Sequence, residues 1–350
     1  MSTPKTQRQW ILSGRGSVEN LSIQSDVPVP TPGPYEVLIN FKAASLNYGD
    51  LLCNSPHFPY PNPDPLIPLS DGAGVIVALG ANCRRFKVGD RVMKAYFPTF
   101  LSGLANPIDK KTAPGLLGHG IAREYAVFTE ESLVRIPDSL DWKQAAALPC
   151  AGVTAWSALF GLQGRRVMPG DWVLTQGTGG VSLFALQFAK AAGARVVATT
   201  SSDAKADILK SLGADHIINY RTDPAWATTA RELTGGAGFQ HIVDIGGPGT
   251  LKDSLNAIAY EGVLSVVGLV DLANQQGIPT LFDILERVCI VRATMVGSKA
   301  DFEDMVKAIE ANNIKPVLDD TVFAFDQLKE AYEHLKSQKH IGKIVIDFTK

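Results

Sequence analysis

The segment "VLTQGTGGVSLFALQFAKAAGARVVATTSSDAK", Val173 to Lys205, carries the clearest chemical pattern in the chain. An apolar run with strand character ends in glycines, and a helix pattern follows at once. Backbone amides at a helix N-terminus point at oxygen atoms and suit a phosphate. Glycines permit the tight turn and the close approach of a pyrophosphate. Gly177 and Gly179 fill the first two places of G-x-G-x-x-G, with Thr178 between them. Gly180 loosens the turn further, Val181 follows, and the small Ser182 takes the third place. An isolated pattern of this kind leaves a ligand-free glycine turn open; the strand before it and the helix after it favour dinucleotide binding.

The next strand of such a unit presents an acid when the ribose 2′-hydroxyl of NAD is bound. Ser201 takes that place, with Ser202 beside it and Lys205 one helical turn on. A carboxylate repels a 2′-phosphate, whereas a hydroxyl and a lysine attract one. These residues therefore predict NADP(H). A structural reading is compatible with this one: Ser202 or Asp203 caps a helix and Lys205 is solvated.

The elements around these residues alternate. "DWVLTQG", "RVVATTS", "HIIN", "HIVDIGG", "GVLSVVGL" and "VRATMVG" read as strands, with helical or irregular stretches between them. Such alternation predicts a parallel, doubly wound Rossmann-type sheet with helices on both faces. The texture before Leu148 is different. "YEVLINFKAASL", "GVIVALG" and "VGDRVMKAY" are strand-like, and prolines punctuate 28–34 and 56–68. This predicts a compact β-rich unit. The final "GKIVIDF" is a strand that need not belong to the nucleotide fold. The expected organisation is a β-rich domain at 1–150 that the chain rejoins at 310–350, with a nucleotide-binding domain at 151–309 between.

The 350 residues are 45% hydrophobic and 19% charged, ordinary for a folded protein and too apolar for disorder. A net charge of -2 gives no reason to expect nucleic acid or an anionic membrane as partner. The polar N-terminus lacks a signal-peptide core, and no segment has the ~18 apolar residues of a membrane span. A soluble, cytoplasmic protein is expected. Cys53, Cys83, Cys150 and Cys289 lie far apart and read as reduced thiols.

Several ordered motifs resemble a medium-chain dehydrogenase/reductase, nearest the zinc-free branch of quinone oxidoreductases, enoyl reductases and alcohol-dehydrogenase-like proteins. They are "PGPYEVLINFKAASLNYGDLL", "PLSDGAGVIVALGANCRRFKVGDRV", "AAALPCAGVTAWSAL" and "LGADHIINY", together with the glycine segment. The resemblance spans nearly the whole chain. It implies a GroES-like catalytic domain beside the Rossmann domain, and a small-molecule substrate in an interdomain cleft.

The resemblance also implies cofactor contacts. Tyr220 falls near the adenosine 2′-phosphate, and Thr154 near the nicotinamide. Gly246 with Gly247, and Gly268 with Leu269, form turns that line the cofactor. Lys343 resembles a basic position near the same site. Each of these is otherwise a turn, surface or core residue. Homodimers that extend the cofactor-domain sheet are a further expectation. "GVLSVVGLV" and "CIVRATMVG" suit that role and also read as internal strands.

In zinc-bearing relatives a cysteine and a histidine occupy positions that here are Asn47 and Ser70; the third position keeps Cys150. One soft ligand does not hold zinc, so no metal is expected. Without a Lewis acid, hydrogen-bond donors must stabilise the developing oxyanion. Asn47 is the first candidate to orient the nicotinamide or bond the substrate oxygen. Tyr48 is a candidate donor of a hydrogen bond or proton, or a core aromatic. Asp50 and Asp71 read as supports, and His57 and His119 as surface residues. The reading that results is hydride transfer from NADPH to an activated C=C bond. Alcohol or aldehyde chemistry on the same scaffold is the alternative, and a non-catalytic cofactor-binding protein a further one.

Overall fold

The structure is a computed structural model and describes residues 3–268 and 278–350. Leu269, expected to line the cofactor, lies outside the described residues. The chain divides into two compact units, Met1–Val153 with Gly297–Lys350, and Thr154–Val296.

The first unit is built on a seven-stranded sheet. Its order is Leu318–Ala324, Lys343–Asp347, Glu36–Ser45, Asp71–Leu79, Arg91–Lys94 and Leu133–Arg135, with Tyr125–Thr129 also paired to Glu36–Ser45. The C-terminal strand thus sits inside this sheet. Its register sets Val345 opposite Ser45 and Ile346 opposite Ala44 in an antiparallel pair. Two residues before Val345, the same register brings Lys343 to the loop at Asn47.

The chain rejoins this unit at Gly297, ahead of the expected 310. The helix Lys299–Asn312 buries Phe302, Met305 and Ile309. The Lys299 N–H donates to Phe100 O at 2.9 Å, which ties the start of that helix to the first unit. The core beneath the sheet includes Trp10, Phe41, Leu46, Phe325 and Tyr332.

Among the described residues the second unit has six parallel strands in the order His216–Asn219, Arg195–Thr200, Trp172–Gln176, Phe239–Asp244, Ile258–Val266 and Ile290–Ala293. Parallel strands covered on both faces read as continuous apolar runs, and Val173, Leu174, Val196, Val197 and Ile242 are fully buried. Ile258–Val266 is paired on both sides, so it is an internal strand; among the described residues Ile290–Ala293 is at the edge. Among the described residues no helix is long and apolar enough to cross a membrane.

Candidate active site

In the first unit the chemistry gathers where the strand Glu36–Ser45 gives way to the helix Tyr48–Cys53. Asn47 is the N-cap of that helix, with extended backbone. Its N–H donates to Asp50 Oδ2 at 2.7 Å, and its carbonyl accepts the Asp50 N–H at 3.0 Å. This reciprocal pair holds the loop and leaves the Asn47 amide side chain to other partners.

Those partners form a polarised chain. Lys343 Nζ donates to Asn47 Oδ1 at 2.5 Å and to Leu46 O at 2.5 Å. Asn47 Nδ2 donates to Ser70 Oγ at 3.1 Å, and Ser70 Oγ donates to Asp71 Oδ1 at 2.8 Å. Asp71 Oδ2 accepts the Cys150 N–H at 3.1 Å and lies 3.8 Å from Lys343 Nζ, which closes the ring. Lys343 and Asp71 are both buried. A buried ion pair of this kind depends on the further hydrogen bonds that satisfy it.

Ser70 is aimed by strain in the preceding residue. Leu69 is buried and has φ +68, a left-handed conformation that a leucine rarely adopts. The Ile121 N–H donates to Leu69 O at 2.9 Å. A Cβ at Gly120 would lie 2.0 Å from that same oxygen, so only glycine permits the close approach.

Two buried charges lie close by. Burial, with the Asp71 charge as a lesser cause, pushes the Asp50 carboxyl up to about 7, against the opposing Asn47 N–H. Lys94 is also buried; its Nζ donates to Ala95 O at 2.7 Å and Tyr96 O at 3.3 Å. Burial pulls its ammonium down to about 7, partly offset by Asp71. Burial likewise raises the Tyr96 phenol well above its usual range. Tyr48 opens the short helix and is half-buried. His119 Nδ1 accepts the Ile67 N–H at 3.3 Å, a loop-fastening contact, and His57 is exposed.

In the second unit the glycine turn follows the strand Trp172–Gln176. Gly177 has φ +77, and a Cβ at Gly179 would meet nothing within 4 Å. The 12-residue helix Gly180–Ala191 then begins with no side-chain cap, so its first amides are open to an anion. Ser182 packs behind the turn, and its Oγ donates to Gln176 O at 2.6 Å.

Gln176 links this turn to the next. Its Nε2 donates to Ser254 Oγ at 2.8 Å and Asp244 Oδ2 at 3.3 Å, and its Oε1 accepts the Ile245 N–H at 3.2 Å. Asp244 Oδ1 in turn accepts the Gly247 N–H and the Thr250 hydroxyl, each at 2.8 Å. Gly268 lies against the same turn: a Cβ there would fall 1.6 Å from Ile245 O.

At the neighbouring strand ends, the Tyr220 N–H donates to Thr200 O at 3.0 Å, and its side chain is 42% exposed. Ser201, Ser202 and Lys205 stand half-buried in the adjoining turn. Ser202 makes no side-chain cap bond, and the Asp203 carboxylate accepts Asn219 Nδ2 at 2.9 Å. Ser202 therefore does not cap the helical turn that follows it. Thr154 is buried near the start of the helix Val153–Phe160.

Residues 33–138 match the alcohol dehydrogenase GroES-like domain and residues 180–311 the zinc-binding dehydrogenase family. A zinc-type alcohol dehydrogenase-like protein of Schizosaccharomyces pombe is 46% identical over 89% of this chain and 91% of its own. The chain belongs to the medium-chain dehydrogenase/reductase superfamily. Among solved structures of this superfamily, an NAD-dependent alcohol dehydrogenase is 32% identical with a TM-score of 0.86, covering 97% of this chain and 99% of its own. A quinone oxidoreductase of Pseudomonas syringae is 28% identical with a TM-score of 0.79, over 97% of this chain and 99% of its own. As a medium-chain dehydrogenase/reductase the protein is an oxidoreductase that depends on a pyridine nucleotide.

The two implied groups fare differently against the residues of this dehydrogenase. The open helix terminus after Gly179 and the positive φ of Gly177 fit the pyrophosphate of a dinucleotide. The donors Asn47, Ser70 and Cys150 do not fit a zinc ion. An amide oxygen that already accepts an ammonium, a hydroxyl bonded to a carboxylate and one thiol make a poor set for a dication. The adjacent Lys343 charge would oppose the metal as well. Among the described residues no group of three or more His, Cys, Asp or Glu side chains is arranged to hold a metal.

Sequence reasoning missed four contributors. Gln176 and Asp244 join the glycine turns, Leu69 carries the positive φ before Ser70, and the buried Lys94 interacts electrostatically with Asp71. All four fall within stretches quoted above, but nothing local marked their partners.

Proposed function

We propose that this chain is an NADP(H)-dependent, zinc-free reductase that delivers hydride to an activated C=C bond of an enone, quinone or enoyl substrate. The observation that carries the reading is the Lys343–Asn47–Ser70–Asp71 chain, in which Asn47 and Ser70 take positions that hold zinc ligands in zinc-bearing relatives. An amide donor is weaker than a metal. It suffices more readily when charge spreads from the β-carbon into an enolate than when it collects on a single alkoxide oxygen.

The roles of the residues follow. Gly177, Thr178, Gly179, Gly180 and Val181 hold the pyrophosphate at the helix terminus. Ser201, Ser202, Lys205 and Tyr220 bind the 2′-phosphate, and Asp203, held by Asn219, does not compete for the ribose. Thr154 and the turns at Gly246, Gly247 and Gly268 flank the rest of the cofactor. When bound, the nicotinamide supplies the hydride. Asn47 donates to the substrate oxygen, and the proton comes from Tyr48, another pocket donor or water.

The experiment is NADPH consumption with a simple α,β-unsaturated ketone, followed by NMR identification of the product. A saturated ketone supports the reading. An allylic alcohol overturns it and establishes the second reading, alcohol or aldehyde oxidoreduction. The names of the Schizosaccharomyces relative and of the NAD-dependent structure favour that second reading.

A homodimer belongs to the same proposal. Among the described residues Ile290–Ala293 is an edge strand, and the neighbouring helix Leu281–Arg287 exposes Leu281, Phe282 and Leu285. Unpaired edges and apolar patches of this kind are usually covered.

A further inference from the structure

The resemblance gives Lys343 to the cofactor, but its ammonium is spent elsewhere. It is 3% exposed and faces Leu46 O, Asn47 Oδ1 and Asp71 Oδ2. We propose that Lys343 is a positioning residue that locks the Asn47 amide in the one orientation from which Nδ2–H can serve as the oxyanion donor.

The argument is one of proton direction. An ammonium has three donors and no acceptor, so the amide must turn its oxygen toward Lys343. A carboxylate only accepts, so Ser70 must give its proton to Asp71 and present a lone pair to Asn47. Each end of the chain therefore dictates the same amide orientation. One Nδ2 hydrogen goes to Ser70, and the second, on a partly buried residue, is left for a substrate oxygen. Hydrogen bonds in series polarise one another, so a charged donor on Oδ1 also makes Nδ2–H a better donor. Without Lys343 the amide can flip, presenting an oxygen to an oxyanion. Loop placement alone does not prevent this, because Asp50 bonds the Asn47 backbone and leaves its side chain untouched.

The inference rests on the reading of Asn47 as the donor, and a mutant cycle separates the two. Wild type, Asn47→Ala, Lys343→Met and the double variant are compared for kcat, KM and NADPH affinity. The expected result is a kcat loss of roughly tenfold or more for Lys343→Met, since single oxyanion donors carry ~100-fold or more. NADPH affinity should stay within about twofold, and Lys343→Met should cost nothing further in the Asn47→Ala background. Independent, multiplicative losses would overturn the proposal. So would weakened NADPH binding with kcat unchanged, which would make Lys343 a cofactor ligand. Unchanged turnover in Asn47→Ala would instead remove the donor reading itself. If Lys343→Met does not fold because Asp71 is left unpaired, Lys343→Gln, which can still donate to Asp71 but no longer fixes the amide direction, is compared for the same loss of kcat; full retention of kcat overturns the proposal.

Discussion

Asp50 gives the sharpest test of the buried polar cluster. It is fully buried, Oδ2 accepts the Asn47 N–H, and Oδ1 has no partner among the described residues. The groups that face it are the Leu69 N–H, the charges of Asp71 and Lys343, the Tyr332 hydroxyl and the Cys53 thiol. The folded carboxyl titrates at about 7 against an ordinary 3.8. The folded state thus binds the extra proton between these values, and stability falls as pH rises through them. At ~1.4 kcal/mol per unit, ionised Asp50 costs about 4 kcal/mol above pH 7, of which about 2–3 kcal/mol develops between pH 5 and 8. Asp50→Asn keeps an acceptor for the Asn47 N–H and removes the titration. Urea unfolding of both proteins at pH 5, 6.5 and 8 should show the variant gaining about 2–3 kcal/mol on wild type across that range. Parallel stability profiles would refute the argument that burial, and not pairing, governs this carboxyl.

Lys94→Met tests the opposite sign. The ammonium is depressed to about 7 from 10.5, so its cost is full below pH 7 and fades as pH rises. The advantage of the variant in urea unfolding should shrink by about 2–3 kcal/mol between pH 7 and 9.5, and a constant offset would contradict it. Lys205→Ala should weaken NADPH roughly 10- to 100-fold by fluorescence titration and NADH under about threefold, the scale of one charge-assisted bond. Equal losses would sink the 2′-phosphate assignment. Leu285 is 69% exposed, so Leu285→Glu should leave the monomer folded and shift wild-type dimer to monomer in analytical ultracentrifugation. A wild-type monomer, or a dimer that survives the change, would remove that interface.

The two-part architecture was legible in the sequence because its signals are local and periodic. Alternating strand and helix patterns mark the parallel sheet. The glycine turn sits between the strand Trp172–Gln176 and the helix Gly180–Ala191, as its spacing requires. Residue types were legible too: Asn47 and Ser70 stand out because neither binds zinc well. The partners of those residues were not legible. Lys343 meets Asn47 from 296 residues away because the C-terminal strand pairs with Glu36–Ser45 in one register. Gln176 reaches Asp244 across 68 residues for the same kind of reason. The point where the chain rejoins the first unit was placed too late, because the sequence of Lys299–Asn312 specifies a helix but not the unit that buries it. Strand pairing and burial are long-range properties. They decided that a lysine, a strained leucine and two carboxylates surround an asparagine that the sequence could single out only by type.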